Sequence, residues 1–573
     1  MTDLTGDAAL PERTRGGMSL TDPTASWLAA MCGCVAFALI QVATYAPGGF
    51  PSSDDMLRLV HAQDLLNGHA WYDPVQYRLG LDGGTVMHWS KLVDAPIALL
   101  LAIGGDTFAR FAWPVLLSFF ALAGIATGAI GTVGRGGLFP AMVIGVAALW
   151  SIGIFSVGAF DHHNVQAVLL IWAVALLVHE KPGFVQTCIS GAACALMMAI
   201  GMETLPYVAA LGLWVAAAFA IGAVDKCAAR GFGIGLAGTT LALFPILLTP
   251  AHWISTTCDA FSSFHLTLAV SGGGGLAAAS WVGARVLRWA VLASVGACGA
   301  VIVLGVFSHC IANPLGALPP LLRAYWLEGV LETRSVMDVF ASDPFSLIGY
   351  FGMALTALAL CVAGLRRKRV RVSASLLLLT LMVAVSVTIW QQRGFMFAAV
   401  LAVFPMAYAV TKFRTIYEET RAPTALAGMV FFWIASINVV WFITGAQMAS
   451  AFSSTPTLNE KMAAADPRDY CYDPDLYAVL NKEPNGVVLS STNVGPMILL
   501  HTDHRAIAGP YHRNVDGNML LINAMLAHPF DAKRMMLDNG VTHIADCVRG
   551  PDAADFKRGA PDGFQAQMHA DPG

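Results

Sequence analysis

Apolar runs of about 20 residues, the length a helix needs to cross a bilayer, recur through the first three quarters of the chain. They fall at 27–45, 107–133, 139–158, 164–179, 184–202, 204–224, 231–249, 258–284, 289–308, 344–364, 373–390, 394–412 and 424–444. The pattern predicts a polytopic α-helical membrane protein of about 13 transmembrane helices. The run at 258–284 is the weakest, because Gly272–Gly275 interrupts it. The short apolar piece Ala95–Ile103 predicts a re-entrant or interfacial segment. Residues 55–66 read as an amphipathic helix ended by Gly68.

The pattern changes near residue 447. Val487–Ser490 and His543–Asp546 read as short strands. Asn518–Ala527 and Phe530–Asn539 read as helices, the second stopped by Gly540. The expected division is a tail at 1–26, a membrane domain at 27–446 and a small α/β domain at 447–573. Its polar residues after about 550 are expected to be loose.

Composition agrees. Only 12% of residues are charged and 56% are hydrophobic. A soluble chain carries about 25% charge, so most of this surface does not meet water. The net charge of −4 gives no reason to expect nucleic acid. No cleavable signal is visible, and the first apolar run reads as an uncleaved span.

Basic residues set the orientation. Arg366, Arg367, Lys368, Arg369 and Arg371 share one side with Arg135, Lys181, Lys226, Arg230, Arg285, Arg288, Lys412, Arg414 and Arg421. The N-terminus is then cytoplasmic. Loops 46–93 and 309–343, the turn 159–163 and the C-terminal domain face outward. With no eukaryotic targeting signal, the expectation is a bacterial inner (plasma) membrane with the domain in the periplasm.

Nine of the eleven cysteines lie at or near apolar segments and read mostly as small buried side chains. Cys471 and Cys547 both fall in the external domain, where an oxidising compartment permits a disulfide between them.

Candidate chemistry gathers in the outward loops. Ser52-Ser53-Asp54-Asp55 puts adjacent carboxylates at a membrane surface, a repulsive arrangement that a cation, a proton or Arg58 one turn on would offset. A helix cap reads equally well there. Asp161-His162-His163 offers an acid and imidazoles, with Asp161 and His163 suited to one cation; Asp161 as cap of a helix from Asn164 is the plainer alternative. Glu328 and Glu332 would share a helix face, as they would on any solvated turn. Oxygen ligands with an imidazole suit Mg²⁺ or Mn²⁺. Arg393 stands at the outer end of a span, fit for a lipid phosphate or for plain anchoring. Glu203 sits in a short outer turn, as a second acid or a turn residue. In the tail, Ser490–Pro496 and Tyr511-His512-Arg513-Asn514 follow strands, where ligands commonly bind, though ordinary turn chemistry reads equally well.

In this order the pieces resemble the GT-C membrane glycosyltransferases, most of all the catalytic subunit of oligosaccharyltransferase of the archaeal type. Asp54 through Leu65-Leu66-Asn67-Gly68, Trp71-Tyr72-Asp73 and His88–Asp94 resemble that family's first external loop. Asp161-His162-His163 resembles its second acidic motif, Glu332 its late external glutamate, and Arg393 an arginine near the lipid-linked phosphate. The resemblance implies transfer of a sugar or glycan from a polyprenyl-phosphate or -diphosphate donor to a glycan, lipid or protein acceptor outside the membrane. It implies Asp54, Asp161, His163 and Glu332 as metal ligands, with Asp54, Asp55 and Glu332 catalytic. Arg58, Arg393, Tyr511, His512 and Arg513 are the expected substrate contacts.

One departure bears on the acceptor. The family's Trp-Trp-Asp motif, which reads an Asn-x-Ser/Thr acceptor, is replaced by Ser491-Thr492-Asn493-Val494-Gly495. A lipid-linked glycan polymerase or ligase, and a transporter, are the alternatives. A transporter places ionisable groups near the bilayer midplane, whereas the acids here gather at one face.

Overall fold

The computed structural model describes residues 23–45, 50, 52–311, 318–368, 370–452, 471, 473–547 and 551–568. Most of the predicted tail at 1–26 and residues 453–470 near the predicted domain junction lie outside them.

Within a bilayer only a helix satisfies its own backbone polar groups, and the apolar runs fold accordingly. The first part of the chain forms α1 (Pro23–Thr44), α2 (Ser53–Leu66), α3 (Lys91–Thr132), α4 (Leu138–Ser151), α5 (His163–Leu177), α6 (Phe184–Ile200), α7 (Leu205–Ile221) and α8 (Lys226–Leu247). Apolar helices follow at Arg285–Val306, Ser346–Leu365, Arg371–Trp390 and Gly394–Thr420. Among the described residues, eight helices are long and apolar enough to cross a membrane. The pair Pro423–Ala435 and Asn438–Phe452, bent by 81°, makes up to nine. Shorter apolar helices at Arg135–Ser151, His163–Leu177 and Phe184–Ile200 stand at three more of the predicted positions.

Ala95–Ile103 lies in a short helical piece of its own, since α3 is two helices meeting at a kink at Gly105, where φ is 73°. Only glycine adopts that conformation without steric cost. The weak run at 258–284 forms the helices Ser263–Ala269 and Gly275–Ala279 joined by a π-helical stretch, Val270–Gly274. Gly273 there lies against Gly233 of α8, and a Cβ on either would meet the other's backbone. Gly235 approaches the Cys188 carbonyl of α6 as closely. Small residues of this kind let membrane helices pack tightly.

The C-terminal part holds a parallel three-stranded sheet, ordered β4 (Arg505–Ala506), β3 (Val487–Ser490) and β5 (Val541–Ala545). Helices Gly495–His501, Val515–Leu526 and Pro529–Asp538 connect the strands. The loop between α2 and α3, with its small hairpin β1 (Val75–Gln76) and β2 (Thr85–Val86), docks on the β4 edge. Ala506 donates to the Arg78 carbonyl and Gly80 donates to the Ala506 carbonyl, both at 2.8 Å. Arg78 in turn donates to the carbonyls of Leu499 and Thr502. Loop and domain are thereby one platform.

The loose polar end is also corrected. Residues 551–568 form helices Pro551–Gly559 and Phe564–Met568, and Phe556 is buried with its ring stacked on Tyr325 at 5.4 Å.

Candidate active site

Helix α2 begins where Ser52 caps it, accepting the Asp55 amide at 3.3 Å. The Ser52 hydroxyl donates to Asp55 Oδ2 at 2.8 Å. Asp55 Oδ1 accepts the amides of Phe160 and Asp161, each at 2.7 Å. Both oxygens of Asp55 are therefore taken up in tying α2 to the turn 159–163. These bonds make Asp55 a clamp between the two elements. Burial, then the negative Asp161, pushes its carboxyl up to about 7.

Asp54, one position earlier, faces the opposite way in function. Its carboxyl is held well above the usual range by burial first, then by Asp161, Glu332 and Asp55. The Tyr511 side chain hydrogen-bonds it and also donates to the Ser53 carbonyl at 3.4 Å. Burial and the charges of Asp54 and Asp161 raise the Tyr511 hydroxyl well above its ordinary value. Asp54, Asp161, Glu332 and Tyr511, from four separate stretches of chain, thus meet in one place.

The turn before α5 supplies imidazoles. His162, not Asp161, occupies the cap position, and the helix starts at His163. His162 Nδ1 lies 2.5 Å from Asp161 Oδ1 and its Nε2 lies 2.7 Å from Glu203 Oε1. Burial opposes charging this ring, but Asp161 and Glu203 outweigh it and raise the imidazole to about 10. His163 lies 3.5 Å from both Asp161 Oδ2 and Glu203 Oε1. Asp161, His162 and His163 each offer a ligand atom within 4.8 Å of the others. His162 and Glu203, named in the sequence without a role in the metal set, are further participants.

Glu332 and Arg393 come together through their backbones. The Arg393 amide donates to the Glu332 carbonyl at 3.1 Å, and the Gln392 amide to the Arg334 carbonyl at 2.9 Å. The buried Arg393 Nε has no hydrogen-bond partner among the described residues.

Other expected substrate contacts are engaged elsewhere. Arg58 is 1% exposed, donates to Asp94 at 2.8 Å and stacks on Trp89 at 4.0 Å. Its reach toward the site is one contact, 3.3 Å to His162 Nδ1. Arg58 balances charge beneath the cluster and does not lie open to substrate. His512 and Arg513 both hold Asp259, at 2.8 and 2.7 Å, which joins the C-terminal domain to the loop after α8. Two disulfides lie on this same side. Cys471 and Cys547 are bonded with Cα atoms 5.9 Å apart. Cys258 and Cys310 are bonded too, at 5.0 Å, a correction to their reading as small buried side chains.

No known protein family matches the chain, and no curated protein matches it. Solved structures do. The archaeal oligosaccharyltransferase AglB from Archaeoglobus fulgidus, in complex with an inhibitory peptide and a dolichol-phosphate, aligns with a TM-score of 0.63 at 14% identity. That alignment covers 93% of this chain and 71% of the other. The chain has the fold of the archaeal oligosaccharyltransferases. The same archaeal enzyme complexed with Zn and sulfate aligns with a TM-score of 0.59 at 14% identity, over 94% of this chain and 70% of that one. Tethered to an acceptor peptide containing an NVT sequon it scores 0.62, again at 14% identity, over 94% and 72%.

The residues present fit a divalent metal. Asp161 and Glu332 both raise the Asp54 carboxyl, and a cation relieves that kind of repulsion between neighbouring acids; Asp161, His162 and His163 add ligand atoms that could share one ion. Oxygen donors with an imidazole match a hard or borderline ion.

Proposed function

We propose that the chain is a membrane glycosyltransferase that moves a sugar or glycan from a polyprenyl-phosphate or -diphosphate donor to an acceptor. The gathering of Asp54, Asp161, Glu332 and Tyr511 around one point, within an oligosaccharyltransferase fold, carries this reading. The acids stand at the mouth of the helices and not at their middle, which disfavours a transporter.

In this reading Arg393 Nε binds a donor phosphate oxygen, and Glu332, on the loop zipped to it, faces the reacting centre. Asp54 orients the acceptor nucleophile and receives its proton. The nucleophile bonds to the anomeric carbon, the bond from that carbon to the phosphate oxygen breaks, and the lipid phosphate leaves with the electron pair. A divalent metal held by Asp54, Asp161, His163 and Glu332 would supply positive charge for the departing phosphate. Tyr511 fixes Asp54 from the C-terminal side. With Ser491–Gly495 in place of the tryptophan motif, the acceptor is something other than an asparagine sequon.

The site faces the extracytoplasmic side in this proposal. Both disulfides lie there, and disulfides persist in oxidising compartments. The basic loop at 366–371 then faces the cytoplasm of a bacterial plasma membrane.

The test is turnover of a panel of polyprenyl-phosphate and -diphosphate sugars by purified wild type, Asp54→Ala and Asp161→Ala proteins. The expected result is sugar release by wild type alone, with both variants still folded. Release undiminished in both variants would remove the proposal's main support.

A further inference from the structure

A cavity of about 200 Å³ lies beside the carboxylate cluster and takes no part in the chemistry above. Trp71, Tyr72 and Trp89 of the first external loop wall one part of it; His252 and Phe261, after α8, wall another; Arg513 of the C-terminal domain completes it. The indole of Trp71 donates to the Ile246 carbonyl at 2.6 Å and the Tyr72 hydroxyl to the Pro245 carbonyl at 3.1 Å. The polar ends of both rings are tied down, so their orientation is fixed before a ligand arrives.

Trp89 is the wall shared with the site. It carries the Arg58 guanidinium 4.0 Å from its ring and meets Tyr511 edge-on at 5.4 Å. Arg58 reaches His162, and Tyr511 reaches Asp54. One indole therefore separates the cavity from the reacting groups.

The lining selects the ligand class. Aromatic walls accept the C–H face of a sugar ring, and the hydroxyls of Ser90, Ser255 and Thr257 beside them suit its hydroxyls. Both cations at the wall already face carboxylates: Lys91 lies 3.6 Å from Asp94, and Arg513 lies 2.7 Å from Asp259. A neutral ligand fits better than a free phosphate. The volume sets the size, since pockets for drug-sized ligands run about 300–1,000 Å³, and this smaller space suits about one ring.

From this we infer that the cavity between Trp71, Trp89 and Phe261 receives one neutral pyranose of the saccharide and decides which sugars enter. The inference rests on the glycosyltransferase reading and adds its sugar-selecting subsite.

Saturation-transfer NMR tests it, with methyl α- and β-hexopyranosides as probes and the purified full-length protein in detergent. Wild type and Asp54→Ala should give the same signal for the preferred glycoside, since the cavity stands apart from Asp54. Ala260→Trp, which fills the cavity, should weaken apparent binding at least about tenfold. If that variant does not fold, Phe261→Ala serves, and the signal should again fall. No signal from any glycoside in a wild type that turns over donor overturns the inference and leaves glycosyl transfer standing. A signal unchanged in the folded variant also overturns it. Glycoside binding that Ala260→Trp abolishes, without turnover of any donor, upholds the cavity and sinks the transfer reading instead.

Discussion

Arg513 grips Asp259 at two points, with Nη2 2.7 Å from Oδ1 and Nε 2.8 Å from Oδ2. His512 adds a third contact at 2.8 Å. The strip 511–513 therefore runs from Asp54 to Asp259 and fastens the C-terminal domain at both ends. Paired planar groups of this kind form the stronger ion pairs. We predict a coupling of about 1–3 kcal/mol between Asp259 and Arg513 in a double-mutant cycle of alanine substitutions, read by thermal or denaturant unfolding. Coupling near zero would show that the clasp does not hold the domain.

The same clasp predicts an acid limit. Burial alone would raise the Asp259 carboxyl, but hydrogen bonds and charge from His512 and Arg513 outweigh it and hold it below the usual range. A carboxyl with a depressed folded value contributes stability that is fully present above its unfolded value, about 3.9. That contribution is lost as pH falls through the lower folded value. Wild type should therefore lose more stability than Asp259→Asn between about pH 5 and pH 2. Parallel curves for the two proteins would refute this.

Glu203 offers a third prediction. Its Oε1 lies 3.5 Å from Nδ1 of His163, one of the proposed metal ligands, and residues that orient such ligands typically contribute about 10–100-fold to activity or metal affinity. Glu203→Gln should lower donor turnover by about that factor while the protein stays folded. Wild-type turnover in this variant would mark Glu203 as a turn residue.

What the sequence made legible follows from which forces act locally. Apolar runs announce helices because burial and backbone satisfaction depend on a contiguous stretch. Asp54 and Asp161 stood out because acids near the ends of apolar runs are conspicuous, and Glu332 through its spacing to Glu328 and the resemblance. Glu203 and Asp259 did not, because each is one acid in a short turn whose partner lies far away, 41 residues for His162 and 254 for Arg513. The main partner of Arg58 was hidden for a similar reason: the arginine sits one turn from Asp54, yet Asp94 is 36 residues on. The end of the chain read as loose because its composition is polar, but Ala553 and Phe556, three apart, put a small apolar face on the helix Pro551–Gly559.

The close approach of α6 and α8 predicts a steric effect. A side chain at Gly235 would run into the Cys188 carbonyl, which is backbone and cannot swing aside. Gly235→Val should cost about 1–3 kcal/mol or prevent folding. Thermal unfolding in detergent, with yield of monodisperse protein, checks it; an unchanged midpoint would mean the helices part freely.

Two intramolecular disulfides should appear in intact mass, as a gain of four hydrogen atoms on reduction. Cys258→Ser should cost about 2–4 kcal/mol under oxidising conditions. A protein whose mass and unfolding midpoint ignore reductant would contradict both bonds.

Glu332 and Arg393 are joined by main chain, since the amides of residues 392 and 393 bind the carbonyls of residues 334 and 332. Side-chain replacement in either loop leaves that lacing intact, whereas a change in loop length undoes it. One residue inserted between Glu332 and Arg334 would shift one laced partner past the other, moving acid and arginine out of step while every functional side chain is still present. Such an insertion should abolish turnover in a protein that folds normally, and turnover near wild type would show that the lacing is idle. For this pair of loops, the register of the main chain sets how far acid and arginine stand apart.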